Sequence, residues 1–182
     1  MKILLNKSYN LLRDIYLESI NFTDKTKLLD IGCGLRGNFL KLPKFVYTGV
    51  DANKHIIAKL RKKSDGLYEC MDANDLKFEN NFFDYIISTS FFHHCSKNNI
   101  RAIVEQIKKI LKDSGKIIIA DGVYPDSKIN ILGYLIRFFD RGRFVRRKDE
   151  FRELFENFFI VKKEVYFVNK FFAYYVLVME KK

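Results

Sequence analysis

Short β-branched or aromatic runs alternate with one-sided apolar stripes along most of this chain, and that alternation limits its fold more than any other feature. Leu28-Leu29-Asp30-Ile31 reads as a strand ending in glycines, and Phe45–Val50 as a second strand with Gly49 inside it. Asn53 is placed to cap a helix running towards Lys63. Leu67–Met71 and Phe83–Ser88 follow as strands three and four. Ser96 caps a helix in which Ile100, Ile103, Val104, Ile107, Ile110 and Leu111 keep one apolar face; Lys108, Lys109 and Lys112 suit its last turns, and Gly115 stops it. Lys116–Ala120 is a strand buried on both faces. Residues 3–20 are helical, Ser127–Phe139 is helical and apolar almost all round, and Asp149–Asn157 is a further short helix. Phe158–Val168 and Phe171–Met179 form a final hairpin about Asn169-Lys170. Strands alternating with helices imply a parallel sheet covered on both faces, a three-layer α/β sandwich, with the hairpin setting one antiparallel strand at or near an edge.

The length of 182 residues, without repeats or a Pro/Ser-rich linker, is read as one domain: an N-terminal helix in 1–24, a half at 25–122 and a second half at 123–182. Only 2 Pro and 9 Gly exclude collagen-like and linker-like chains. Three cysteines at irregular spacing argue against disulfides and for a reducing compartment. The longest strictly apolar run, Phe171–Met179, is too short to span a bilayer, and Lys2, Lys7, Arg13, Asp14 and Glu18 interrupt any signal-peptide core, so a cytoplasmic protein is expected. No Cys or His pair has metal-ligand spacing, so no metal is expected.

Chemistry concentrates after the first strand. Gly32, Gly34 and Gly37 form a G-x-G-x-x-G turn, which lets a ligand approach the backbone. Asp51 ends the second strand, 21 residues after Asp30, where a carboxylate accepts ribose hydroxyls. Asp30 precedes the first glycine by two residues. An acid pointing into that bend repels a pyrophosphate and suits a positive centre, such as an amino group or a sulfonium, which disfavours a nicotinamide dinucleotide.

These residues resemble the class I S-adenosylmethionine-dependent methyltransferases. Leu28–Gly34 is similar to that family's first motif, Tyr47–Asp51 to its second-strand motif, Cys70–Ala73 to its adenine loop, Phe83–Ser88 with Phe91–His94 to its fourth strand and turn, and Lys109–Lys116 to the entry into strand five. The resemblance covers roughly residues 25–180. It implies a Rossmann-like seven-stranded, mostly parallel sheet of order 3-2-1-4-5-7-6 with strand 7 antiparallel, and S-adenosyl-L-methionine as cofactor. By that resemblance Asp30, Gly32, Cys33 and Gly34 hold the methionine end, Asp51 and Ala52 the ribose, and Asp72 and Ala73 the adenine, with Asp75 close enough to replace Asp72. Ser88 and Ser90 close the site from strand four. Cys33 reads as structural rather than nucleophilic. Where the family's turn often runs Gly-x-Gly-x-Gly, Leu35-Arg36 precede Gly37 here, and Arg36 is a candidate for the methionine carboxylate.

His93 is the candidate general base, against the alternative that it and His94 only pack against the cofactor pocket. Asp121 and Tyr124 follow strand five on the same sheet edge, and either could face substrate. The net charge is +11, and half of the ten arginines fall within Arg137, Arg141, Arg143, Arg146 and Arg147. The basic segment 137–148 has three functional readings and one bland one, a solvated face. Arg141 and Arg143 would clamp an anionic small acceptor; residues 129–147 would lie on a membrane surface; or the patch would hold nucleic acid. Nucleic acid ranks lowest, because the fourth strand lacks an Asn/Asp-Pro-Pro-Tyr run and no Pro-Cys nucleophile exists. The sequence therefore predicts a methyltransferase acting on a small or lipid-linked anionic acceptor. The alternatives are a catalytically inactive methyltransferase-like binding or regulatory module and, more weakly, an RNA methyltransferase or an NAD-binding oxidoreductase.

Overall fold

The computed structural model describes residues 2–36, 45–63, 66–127, 129–139 and 143–182. Helix α1 (Lys2–Ser19) precedes β1 (Lys27–Ile31), β2 (Val46–Asp51), α2 (Lys54–Arg61), β3 (Leu67–Cys70), β4 (Phe83–Thr89), α3 (Lys97–Ile110), β5 (Leu111–Val123), α4 (Ile131–Phe138), α5 (Lys148–Glu156), β6 (Phe159–Asn169) and β7 (Phe172–Lys181). The strands form one sheet in the order β3-β2-β1-β4-β5-β7-β6. Pairings from β3 through β5 are parallel, whereas β7 runs antiparallel to both β5 and β6. This is the architecture expected from the sequence.

Alternation along each strand divides the core into two layers. Leu29 and Ile31 face one side with Ile86, Ile117, Ile119 and Leu177, against the apolar stripe of α3 and Phe151 and Phe155 of α5. Leu28 faces the other with Tyr47, Ile87, Ile118 and Val176, against Leu12, Ile15 and Tyr16 of α1 and Ile57 and Leu60 of α2. Asn53 and Ser96 are the N-caps of α2 and α3 as expected; their side chains accept from backbone N–H groups of the first turn.

Three local expectations are corrected. Helix α3 ends at Ile110 rather than at Gly115. The N–H groups of Asn81 and Phe82 donate to the carbonyls of Lys109 and Ile110, so the helix end is satisfied and Leu111 turns extended at once. Lys112 therefore lies on β5, 2.6 Å from Asp84. The hairpin pairs Asn169 with Phe172, so its turn is Lys170-Phe171, with the positive φ carried by Lys170. Helix α4 is shorter than Ser127–Phe139, because Asn130 caps it by accepting from the Gly133 N–H at 2.9 Å. Its buried residues are Gly133 and Arg137, so most of its apolar side chains are not buried.

Candidate active site

The carboxyl ends of the parallel strands form the edge where an open α/β sheet holds ligands. At that edge the N–H groups of Gly32 and Cys33 both donate to the Val50 carbonyl, at 2.9 and 3.0 Å, folding the turn after β1 back onto β2. Gly32 has φ +70° and Gly34 φ +55°, where a side chain is strained. Their surroundings differ. A Cβ on Gly32 would lie 2.4 Å from the Phe91 ring, whereas a Cβ on Gly34 would meet none of the described residues within 4 Å. Gly32 is thus packed beneath the loop after β4, and Gly34 presents a backbone that no described residue covers. Gly37 and the Arg36 side chain lie outside the described part of the structure.

Asp51 ends β2 beside this turn. One oxygen accepts from the Gly34 N–H at 3.1 Å and the other from the Asn53 N–H at 2.8 Å. Two donors leave lone pairs for two further ones, so the half-exposed carboxylate is both the brace of the turn and a ready acceptor. Ala52 beside it is exposed. The loop after β3 adjoins this point, since the Met71 N–H donates to the Asp51 carbonyl at 3.3 Å. Asp72 there is exposed and accepts from the Asn74 backbone and side chain at 2.9 and 2.8 Å, and Ala73 is buried. Asp75 instead pairs with Lys77 on the surface.

Asp30 departs from expectation. Its carboxyl is only 3% exposed, turned to the α1/α2 side of the sheet, and accepts from the Tyr47 hydroxyl at 2.7 Å. Burial pushes its pKa from the ordinary 3.8 to about 7; the Tyr47 hydrogen bond opposes that rise and Asp51 adds to it. The bend therefore holds a buried, half-titrated acid rather than the open, fully ionised carboxylate inferred from the sequence. Tyr47 on β2 pairs with Leu28 on β1, which sets it diagonal to Asp30 on the same face. Strand alternation carries that signal once the register is known. Cys33 is buried in the same layer, and burial, then Asp30 and Asp51, push its thiol far above the usual range, so it is a neutral packing group.

The ends of β4 and β5 supply the opposite wall. The Ser88 hydroxyl is 1% exposed and donates to the Ile31 carbonyl at 2.9 Å, locking β4 to β1 rather than opening into the crevice. Ser90 is exposed at φ +55°, its N–H donating to the Ala120 carbonyl. Tyr16 of α1 reaches this edge, its hydroxyl 2.7 Å from that of Thr89. His93 follows in a single 3-10 turn and is buried. Asp121 accepts from the His93 N–H at 3.1 Å and the Gly122 N–H at 2.7 Å, and meets His93 Nδ1 at 2.5 Å. A carboxylate at Nδ1 fixes the neutral ring as the Nδ1–H tautomer, which makes Nε2 the basic nitrogen. The exposed His94 ring lies 4.0 Å from that of His93. The sequence left open whether Asp121 or Tyr124 faces substrate; in the structure Asp121 lies against His93.

The arginine cluster is divided. Arg146 is buried and donates to the carbonyls of Phe92, Phe144 and Cys95 at 3.3, 2.8 and 2.8 Å, clamping the His93 loop to the segment before α5. Arg137 is buried too, donating to the Ala173 carbonyl at 2.9 Å between the Phe172 and Tyr174 rings. Arg143 and Arg147 are exposed, and Arg141 lies outside the described residues. Neither the solvated-face reading nor the clamp reading foresaw this split; no local signal distinguishes a buried arginine from an exposed one. Tyr124 stacks on Tyr134 at 5.5 Å, and with Ile131, Leu135, Phe138 and Arg147 they line a cleft of about 370 Å³. Among the described residues no group of three or more His, Cys, Asp or Glu could hold a metal ion. All three cysteines are free.

Residues 29–119, half of the chain, match the family model of a methyltransferase domain. The chain belongs to this methyltransferase family, in the class I S-adenosylmethionine-dependent fold. Among curated proteins it is 29% identical over 114 residues to phosphoethanolamine N-methyltransferase 1 of Arabidopsis thaliana, and 30% identical over 112 residues to the phosphoethanolamine N-methyltransferase of Plasmodium falciparum. Each match takes in 58% of this chain but only 23% and 42% of those proteins. The PH0226 protein of Pyrococcus horikoshii OT3 shares the fold, with a TM-score of 0.77 at 21% identity over 98% of this chain and 91% of that one.

Proposed function

We propose that the chain transfers the methyl group of S-adenosylmethionine to a small or lipid-linked anionic acceptor. One observation carries this reading: the left-handed backbone at Gly34, uncovered by any described residue, lies directly beside a two-oxygen acceptor, Asp51, which its own N–H braces. A nucleoside with a bulky tail needs that pair, bare backbone for the tail and a carboxylate for the sugar. Asp30, Gly32, Cys33 and Gly34 would then flank the methionine end, Asp51 and Ala52 the ribose, and Asp72 and Ala73 the adenine, with Ser88 holding the wall and Ser90 at its rim. The bound cofactor supplies a methyl group on a positively charged sulfur, whose departure as a neutral thioether makes displacement easy.

The chain's own residues then have three tasks. The turn after β1 and the loop after β4, joined by Phe91 over Gly32, set the orientation of one reactant against the other. The buried Tyr16 and His93, with the half-buried Thr89, keep water from the sheet edge. His93, held at Nδ1 by Asp121, offers Nε2 to a proton leaving the acceptor. The Tyr124–Tyr134 cleft, apolar with Arg147 at its lining, suits an acceptor with an apolar body and an anionic group, and Arg143 is exposed on the following segment. The relatives named as phosphoethanolamine N-methyltransferases, at low identity, agree with the anionic group of such an acceptor and not with its apolar body.

Isothermal titration with S-adenosylmethionine and with its demethylated product tests the site. Asp51→Ala should abolish binding, because it removes the sugar acceptor and the brace of Gly34 together. A variant that binds like the native chain defeats the site assignment. A mass-spectrometric search for methylated product, beginning with phosphoethanolamine, tests the reaction itself. Sustained cofactor binding with no product would favour the inactive binding module.

A further inference from the structure

Helix α4 is built inside out. It turns its one arginine, Arg137, into the protein, and it faces outward with Ile131, Leu132, Leu135 and Phe138, the last 72% exposed. Ile129 before it and Phe139 after it are 90% and 77% exposed. Six large apolar side chains on neighbouring turns form a patch that a soluble surface rarely carries without a partner. The helix is not loosely attached. Arg137 anchors it through the Ala173 carbonyl and two aromatic rings, and Asn130 donates to the Phe171 carbonyl at 3.3 Å. A Cβ on Gly133 would lie 2.4 Å from that same carbonyl, so helix and hairpin tip touch backbone to backbone. Phe171 of the tip is itself 41% exposed and extends the patch.

Among the described residues, the exposed cations beside this apolar face are Arg143 and Arg147 beyond the helix and Lys170 on the hairpin turn, while Asp149 and Glu150 follow Arg147 in the first turn of α5. The neighbouring acid Asp126 is already paired with Lys148 at 2.8 Å. We infer that α4 and the hairpin tip form a docking face for an anionic lipid bilayer, with the apolar side chains entering the headgroup boundary and the arginines and Lys170 on lipid phosphates. A second copy of the chain is the poorer occupant. Isologous pairing would set the cationic rim against its own copy in a molecule of net charge +11, whereas an anionic leaflet neutralises it. The face adjoins the Tyr124–Tyr134 cleft through Ile131, Leu135 and Phe138, so docking would hold the cleft mouth at the membrane surface. The inference does not depend on methyl transfer.

Co-sedimentation of the purified chain with phosphatidylcholine vesicles, with and without phosphatidylglycerol, tests it. Binding is expected to the anionic vesicles and to weaken in high salt, where the charge attraction is screened. Leu132→Ser with Phe139→Ser, outside the cleft lining, should weaken partitioning on the order of a hundredfold, since two apolar side chains lose their burial. Titration of S-adenosylmethionine should be unchanged in this double variant, which separates the docking face from the cofactor site and shows that the chain is folded. Equal binding by variant and native chain overturns the inference. So does an absence of vesicle binding, or light scattering that shows a dimer dissolved by the double variant.

Discussion

Asp30→Asn removes an acid while keeping the side chain's shape. In the folded chain, burial pushes the Asp30 carboxyl up to about 7, against its ordinary 3.8 when unfolded. The folded state therefore holds the additional proton between those two values. The sign follows directly: stability is full below 3.8 and is lost as the pH rises through 7. The displacement corresponds to at most about 4 kcal/mol once the pH exceeds both values. The asparagine carbonyl still accepts from the Tyr47 hydroxyl, and any cost of its amide protons does not vary with pH. The difference in unfolding free energy between variant and native chain should thus move in the variant's favour by about 1.4 kcal/mol per pH unit between pH 4 and 7, then level off. All other ionisable groups are common to both chains and cancel. Urea unfolding followed by circular dichroism measures this; the chain has no Trp to serve as a fluorescence probe. Parallel curves for the two chains across that range would refute the claim that Asp30 is a buried, half-titrated acid.

Three further outcomes follow from the same contacts. A positive centre near the turn favours ionised Asp30, so S-adenosylmethionine should release a proton on binding at pH 6 and almost none above pH 8, with affinity rising through 7; titration heats that do not depend on the buffer at pH 6 would disconnect Asp30 from the ligand. Gly32→Ala combines a left-handed backbone with a Cβ against Phe91 and should cost roughly 2 kcal/mol in thermal unfolding, part of it recovered when Phe91→Ala is added; strictly additive losses would show that the ring does not press on the turn. Arg146→Ala removes the guanidinium donor from the carbonyls of Phe144 and Cys95 and one of two donors from that of Phe92, and should cost about 3 kcal/mol, with Arg146→Lys restoring little because an ammonium lacks the fork; full rescue by lysine would show that charge alone matters there.

Much of the fold was readable because its signals are local. Each strand announces itself by an apolar run, α3 by its stripe, and the turn after β1 by Gly32 and Gly34, whose backbone few other residues tolerate. Asp51 was readable for the same reason, as the last residue of its strand. The end of α3 was not, since Asn81 and Phe82 stop it from far along the chain. Ser88 was expected at the site wall and instead holds Ile31, a partner fixed only by the β1–β4 register.

The sequence by itself determined the strands, their helical layers and the position of the glycine turn, because periodicity and backbone preference act over a few residues; the family was legible only through the resemblance of its ordered motifs. Only the tertiary structure decided which charges are buried. Asp30 lies shut beneath a tyrosine; Arg137 and Arg146 hold carbonyls inside the protein while Arg143 and Arg147 meet solvent. Burial is a property of what packs across from a side chain, and those neighbours come from strands and loops that the local sequence does not name.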